Sequence, residues 1–248
     1  MLFLYDHSVF NASLDSWQEK ALTTFKQVIT DKKKKFPCIP AYQGFLLNQF
    51  RFGFINDPRN TESIAQMSEL LKKYGEICRD LGNYSALILF FETTNDLKES
   101  YSVLDFEQLF WQMMNQLSLL DEEEWPEQIS PDPSHHTWEF CFNKERYFFY
   151  CATPAHKERN SRYFPYLMLA ITPRCVLDRF NHSPEKVLKM KKQIRKRLMD
   201  YDTIPPHSDL KAYGEKDNQE WKQYFLRDDD TTISACPFHQ RKVKEHKT

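Results

Sequence analysis

Glycine is scarce in this chain, at 5 of its 248 residues. Neither GxGxxG nor GxxxxGK[ST] occurs, the glycine-rich patterns whose backbones approach the phosphates of dinucleotides and nucleoside triphosphates. We therefore expect neither a dinucleotide-binding fold nor a P-loop. GxSxG and HExxH are also missing, so the sequence does not support a serine hydrolase or a zinc peptidase of those types.

Long apolar runs and a strong excess of charge are lacking as well. No apolar stretch approaches the roughly 20 residues that a membrane-spanning helix needs. The opening residues, MLFLYD, carry no basic group and only a short apolar stretch, which is unlike a signal peptide. A formal net charge of −1 gives no global attraction to nucleic acid or anionic membranes. We expect a cytoplasmic protein that spans no membrane and binds no nucleic acid.

The 6 cysteines are scattered along the chain and form no CxxC pair. In a reducing compartment they should be free thiols, most of them acting as small buried apolar side chains. By contrast, aromatic residues are plentiful, with 20 Phe, 12 Tyr and 5 Trp, which argues against disorder. Since no repeat or linker is visible, we predict one domain over residues 1–240 and a charged tail over residues 241–248.

The pattern of apolar residues predicts four main helices and five strands. Helices are expected over residues 14–31, 57–81, 106–119 and 183–201, where apolar residues recur at helical spacing. Strands are expected over residues 45–54, 86–91, 138–142, 146–152 and 166–171. Because the later strands follow one another without helices, we predict an α+β fold with a mainly antiparallel central sheet flanked by helices.

Three cysteine and histidine positions suggest metal ligands. Cys236 and His239 are separated by two residues, which could supply half of a tetrahedral zinc site, and Cys38 is the obvious third ligand. The set is incomplete, and Cys236-Pro237-Phe238 is equally explained as a packed C-terminal segment.

A second candidate is the segment that follows the predicted hairpin. It carries His156, Arg159 and Arg162 among other charged residues. An isolated histidine in such a segment is usually part of an exposed charged loop. Alternatively, a loop leaving a rigid sheet could direct the imidazole to a haem iron and the guanidinium groups to the haem propionates.

Arg51 lies within the predicted strand FRFGF, flanked by phenylalanines. Alternation along a strand puts Arg51 and Gly53 on one face and the phenylalanines on the other. Arg51 is either a solvent-facing residue or a clamp for a carboxylate or propionate, with Gly53 letting a flat ligand approach the backbone.

Seven Lys and Arg residues crowd the interval 186–197, which contains no acidic residue. Such a run is usually a solvated helix face. Alternatively, it is a docking surface for an acidic partner such as a small electron-transfer protein.

Taken together and in order, several motifs resemble those of the bacterial YqcI/YcgG family. They are Phe36-Pro37-Cys38, Arg51-Phe52-Gly53-Phe54, the aromatic hairpin, residues 156–162, Tyr213-Gly214, Trp221-Lys222-Gln223-Tyr224 and Cys236-Pro237-Phe238. Some members of that family are haem-dependent N-oxygenases that act on guanidine groups. The resemblance implies that this chain binds haem b and N-hydroxylates a guanidine or amine of a small cationic, arginine-like molecule.

For the axial ligand of that haem we favour His156, with Cys38 or Cys236 as thiolate competitors. The other cofactor-binding residues would be Arg51, Arg159 and Arg162. Two alternatives stay open: a non-catalytic stress protein that holds zinc through Cys38, Cys236 and His239, and a small-molecule-binding module without chemistry.

Overall fold

The computed structural model describes residues 2–180, 184–213 and 215–239. At its centre is a five-stranded sheet in the order β1-β2-β5-β4-β3. The strands are β1 Phe50–Ile55, β2 Ala86–Phe91, β3 Phe140–Phe142, β4 Glu145–Ala152 and β5 Met168–Pro173. β1 and β2 are parallel, whereas the other three pairings are antiparallel. The predicted α+β fold with a mainly antiparallel sheet is confirmed, and the β1–β2 pair makes the sheet mixed. The predicted tail over residues 241–248 lies outside the described residues.

Two layers of helices cover the sheet. The helices are α1 Ser16–Thr30, α2 Ile39–Leu46, α3 Thr61–Ile77, α4 Asn95–Ser100, α5 Val103–Leu119, α6 Arg174–Phe180 and α7 Pro184–Tyr201. α1 and α2 pack on one face of the sheet, and α3 and α5 pack on the other. Within the described ranges no helix is both long and apolar enough to cross a bilayer.

β2 dictates this layering. All six of its residues are buried, and alternation sends Leu87 and Leu89 to the α3/α5 face while Ile88 and Phe90 point to the α1/α2 face. A strand that is apolar on both sides needs cover on both sides. β1 alternates as expected: Phe52 packs under α1, and Gly53 lies against Leu70 and Leu89.

The strand predicted over residues 45–54 is wrong in its first half. Ile39–Leu46 is helix α2, with Pro40 in its first turn, where the missing amide hydrogen costs nothing. Asn48 then adopts a left-handed backbone conformation, with φ of 58°. That reversal separates helix from strand, so β1 starts at Phe50. Helices α4 and α6 were also not predicted, because they are too short to show a clear apolar periodicity.

The predicted hairpin is confirmed with a shorter turn. Phe142 pairs with Glu145, so the turn consists of Asn143 and Lys144. Both residues have positive φ, of 51° and 63°. Two successive positive φ angles define the type I′ turn, whose twist matches that of the flanking strands.

We predict that Gly44→Ala destabilises the fold although alanine favours helices. A Cβ at this buried position in α2 would clash with the carbonyl oxygen of Tyr84 and lie 2.5 Å from the Phe50 ring. Overpacking of this kind costs roughly 1–3 kcal/mol. Chemical denaturation measures the loss, with Leu46→Ala, at an exposed position of the same helix, as the control. Equal free energies of unfolding for both variants would contradict the packing described here.

Candidate functional site

Cys38 lies at the N-terminus of α2 and lines an apolar cavity on the α1/α2 face of the sheet. We call this space, of about 220 Å³, the thiol cavity. Its walls come from α1, the segment that leads into α2, and the sheet, and they include Phe25, Phe36, Phe50 and Ala170.

The surroundings of the Cys38 thiol act on its charge in opposite directions. Burial among apolar side chains raises the pKa of the thiol, while the backbone amide of Ala41 and the positive charge of Arg197 oppose that rise. An amide at a helix N-terminus and a nearby guanidinium are the features that favour a thiolate over a thiol. A cation bound at the sulfur would also lower the pKa of the Cys38 thiol.

A second cavity, of about 340 Å³, adjoins the thiol cavity. The two share Pro40, Phe148 and Leu177 as wall residues. We call it the ion-pair cavity, because Arg174 and Glu220 line it together with Tyr213. α7 covers it with apolar side chains, namely Val187, Met190 and Ile194.

Arg174 is almost fully buried between two carboxylates. Its Nη2 lies 2.5 and 2.6 Å from the two oxygens of Glu220, and its guanidinium also pairs with Glu139. The ring of Tyr213 lies over it, with the ring centroid 3.8 Å from Cζ. Burial raises the pKa of Glu220, and the charge of Arg174 opposes the rise. The cluster therefore holds buried charges of both signs beside open space.

A third cavity, of about 180 Å³, adjoins the thiol cavity elsewhere along its wall. Ile29 and Phe36 border both spaces. We call it the cationic cavity, since Lys32, Lys35 and Arg197 line it. Arg197 donates a hydrogen bond to the carbonyl of Phe36 at 3.3 Å, which holds the end of α7 over the segment that leads to Cys38.

His156 is buried and uses both ring nitrogens inside the protein. Nε2 donates to the carbonyl of Leu226 at 2.8 Å, and Nδ1 accepts from the Thr153 hydroxyl at 2.8 Å. Burial lowers the pKa of His156 to about 4, so the ring is neutral at physiological pH. Coordination of an iron by this imidazole would require one of these hydrogen bonds to break.

Arg159 and Arg162 are buried as well, and their guanidinium groups donate to backbone carbonyls. Arg159 bonds the carbonyls of Pro205, Arg227 and Asp229. Arg162 bonds those of Cys151, Gln223 and Tyr224. Arg162 also lies 4.1 Å from the ring centroid of Tyr150, a wall residue of the thiol cavity. These contacts tie the C-terminal segment to the sheet. Haem binding by this segment stays a prediction, and its contacts favour a structural role.

Arg51 and Cys236 lie apart from the thiol cavity. Arg51 is half-buried on the face of β1 opposite Phe50 and donates to the Phe50 carbonyl at 2.9 Å. Cys236 packs against the core on the α3/α5 face, whereas Cys38 lies on the α1/α2 face. The sheet separates the two cysteines, so the proposed zinc set of Cys38, Cys236 and His239 is not assembled. In the part of the chain that the structure describes, one group of three ligand side chains meets, and it contains none of these residues.

The comparisons with known proteins identify the family. The sequence profile of the YqcI/YcgG family matches residues 25–239, which is most of the chain. The chain belongs to the YqcI/YcgG family. The resemblance inferred from the motifs is thereby confirmed.

Two relatives within the YqcI/YcgG family come from Bacillus subtilis (strain 168). The chain is 47% identical to YqcI over 230 residues, which cover 93% of this chain and 91% of YqcI. It is 48% identical to YcgG over 225 residues, or 91% and 89% of the two chains. A third relative, from Streptomyces lavendulae, bears the name "Putative N(omega)-hydroxy-L-arginine synthase DcsA" and is 29% identical over 231 residues, 91% of this chain and 85% of that protein. No solved structure matches the chain.

The sequence pattern does not indicate several residues that border the three cavities of this YqcI/YcgG family member. Arg174 and Glu220 are 46 residues apart, and no local spacing links them. Arg197 was counted only as one charge of the basic run.

We predict that His156 lowers the free energy of unfolding of this protein as the pH falls. Because its pKa is about 4 when folded and 6.5 when unfolded, its contribution is complete above pH 6.5 and is lost as the pH falls towards 4. The loss between about pH 7 and pH 5 should be about 2 kcal/mol. Denaturation of wild type and His156→Gln at both pH values measures it, and the variant should have a flatter dependence. The exposed His135→Gln is the control; an identical pH dependence of wild type and His156→Gln would contradict the assignment.

Proposed function

We propose that this chain binds haem b in the thiol cavity, with Cys38 as axial ligand, and N-hydroxylates a guanidine group of an arginine-like molecule. The observation that carries the proposal is the Cys38 thiol at a helix N-terminus, facing an apolar cavity between a cationic cavity and an ion-paired one. The name of the Streptomyces lavendulae relative, which describes hydroxylation of arginine, supports the reaction class.

The residues around the thiol cavity fit a haem by their chemistry. Thiolate is an established axial ligand of haem iron, and phenylalanine, isoleucine and alanine walls suit the macrocycle. The cations of the cationic cavity, Arg197, Lys32 and Lys35, are suited to the propionates. The thiol cavity alone is smaller than the roughly 300–1,000 Å³ typical of ligand pockets, and it shares three wall residues with the ion-pair cavity beside it.

Among the three candidate ligands the geometry favours Cys38. His156 has both nitrogens engaged in hydrogen bonds. Cys236 packs against the core cluster on the other face of the sheet, away from the thiol cavity. Cys38 alone of these three lines the apolar cavity that we assign to the macrocycle.

The ion-pair cavity suits an arginine-like substrate. Such a molecule carries a guanidinium at one end and an amino-acid group at the other. Glu220 and Arg174 are paired with each other on its wall, so a substrate would bind by exchanging this contact for its own guanidinium and carboxylate. Since both charged groups are buried, water competes weakly for them.

The protein would contribute position and electrostatics to this reaction. When bound, the haem would supply reductive activation of O₂ and transfer of one oxygen atom to nitrogen. The Cys38 thiolate would donate electron density to the iron, stabilised by the N-terminus of α2. The apolar walls would exclude water, and the ion-pair cavity would hold the substrate nitrogen beside the thiol cavity.

We predict that the protein reconstituted with haem has the red-shifted ferrous–CO absorption band that marks thiolate ligation. Cys38→Ser should abolish that band, whereas Cys236→Ser should keep it. Incubation of the holoprotein with L-arginine, O₂ and a chemical reductant should then add one oxygen atom to the amino acid, as read by mass spectrometry, and Cys38→Ser should lose this activity.

Three results would contradict the proposal. A protein that binds no haem would exclude the oxygenase and leave a cavity for another small molecule. If Cys38→Ser leaves the spectrum unchanged and His156→Gln changes it, His156 rather than Cys38 is the axial ligand. A thiolate spectrum without product from arginine or other guanidines would leave a haem-binding protein of a different function.

The basic face of α7 supports a further part of the proposal, the docking of an acidic electron-transfer protein. Lys189, Lys192 and Lys196 are exposed on this helix. Arg195 and Arg197 instead donate to backbone carbonyls, so they are less suited to bind a partner. The same helix borders the ion-pair and cationic cavities, which brings a docked reductant near the proposed haem.

We predict that replacing Lys189, Lys192 and Lys196 by Glu slows turnover supported by an acidic ferredoxin by roughly ten-fold or more at low salt. Turnover with a chemical reductant should stay unchanged. The control replaces three exposed lysines outside α7, namely Lys20, Lys157 and Lys216. If both triple variants slow the ferredoxin-supported reaction equally, net charge rather than docking is responsible.

A further inference from the structure

Three potential metal ligands meet on the α3/α5 side of the sheet, away from the thiol cavity. One ligand atom from each of Cys78, Cys175 and Glu145 lies within 4.8 Å of the other two. Cys78 is buried, and the other two are half-buried. Both cysteines are free thiols.

Separate elements bring these residues together. Cys78 ends α3, Cys175 is the second residue of α6, and Glu145 begins β4. The β4–β5 pairing ends with Tyr147 opposite Pro173, and Glu145 and Cys175 each lie two residues beyond that pair. All three ligands lie at the ends of regular elements, namely α3, β4 and α6, and β4 is paired with the strand that leads into α6. The backbone around the cluster is therefore held in place.

A second observation at this point indicates a missing polar partner. Tyr147 is fully buried, and among the residues that the structure describes its hydroxyl has no hydrogen-bond partner. The hydroxyl lies beside Gly75 of α3, whose carbonyl accepts a hydrogen bond of 3.4 Å from the Cys78 thiol, and Tyr147 follows Glu145 by two residues on β4. An unsatisfied buried hydroxyl costs roughly 1–3 kcal/mol, so native proteins usually satisfy it. A water bound to a metal at this cluster would give the Tyr147 hydroxyl a hydrogen-bond partner.

We propose that Cys78, Cys175 and Glu145 bind a thiophilic divalent cation, Zn²⁺, with a water as fourth ligand. Two thiolates and a carboxylate exclude Mg²⁺ and Ca²⁺, which require oxygen ligands, and suit zinc. In a tetrahedral site with Zn–S bonds of about 2.3 Å the two sulfurs are about 3.8 Å apart. The ligand atoms are therefore already close to the spacing that the metal requires.

The charges around the cluster suit a cation of this kind. Two thiolates and one carboxylate carry three negative charges, one more than Zn²⁺ neutralises. The guanidinium of Arg79, which lies 2.5 Å from Oε2 of Glu145, balances the remaining charge. That pairing leaves Oε1 of Glu145, which accepts a longer bond of 3.3 Å from the Arg146 amide, as the oxygen for the metal.

Cobalt substitution tests the site, because Co²⁺ bound by thiolates absorbs light while zinc does not. The fully reduced, haem-free protein is titrated with Co²⁺ anaerobically, and then Zn²⁺ is added. We expect one equivalent of Co²⁺ to give a sulfur-to-cobalt charge-transfer band that Zn²⁺ displaces. Cys78→Ser and Cys175→Ser should abolish the band. Glu145→Gln should weaken Co²⁺ binding by at least about ten-fold, and Cys236→Ser should match wild type.

Three outcomes would overturn the proposal. One is the absence of a band in the reduced wild type while thiol counting finds all 6 cysteines free. Another is a band that persists in both Cys78→Ser and Cys175→Ser. The third is loss of the band in Cys236→Ser, which would assign the metal elsewhere. Circular dichroism of the serine variants separates loss of the site from loss of the fold. None of these results depends on haem binding or hydroxylation.

Discussion

The hydrogen-bonded pairing of β2 between β1 and β5 is the interaction on which the rest of the molecule depends. β2 has no polar side chain, so each of its faces must be buried under a separate layer of helices. That requirement divides the protein into two chemically independent halves. Cys38 and its cavity belong to one half, and Cys78, Cys175 and Glu145 belong to the other. Cysteines on different sides of such a strand cannot share a ligand.

Buried cations in this protein serve two different purposes. Arg159 and Arg162 donate to neutral partners, the carbonyl oxygens of irregular backbone that would otherwise be unpaired. Arg174 instead meets two carboxylates next to open space. Burial alone therefore does not distinguish a structural arginine from one suited to bind a ligand; what distinguishes them is whether the partner is backbone or a second ionisable group at a cavity.

Much of the fold could be predicted from residue patterns. The continuous apolar run of β2, the helical stripe of α3 and the aromatic hairpin are local signals, and all three are confirmed. Residues 45–49 were assigned wrongly because aromatic content suggested a strand, whereas Pro40 and the left-handed Asn48 determine a helix and a turn. The candidate site was less accessible. Cys38 was named, but Arg174 with Glu220, and Cys78 with Cys175, are brought together only by tertiary packing.

Helix α7 borders two of the three cavities, since Met190 and Ile194 face the ion-pair cavity and Arg197 faces the cationic one. A molecule bound in either cavity would therefore contact this helix. A partner on the exposed face of α7 would be separated from that molecule by the width of one helix.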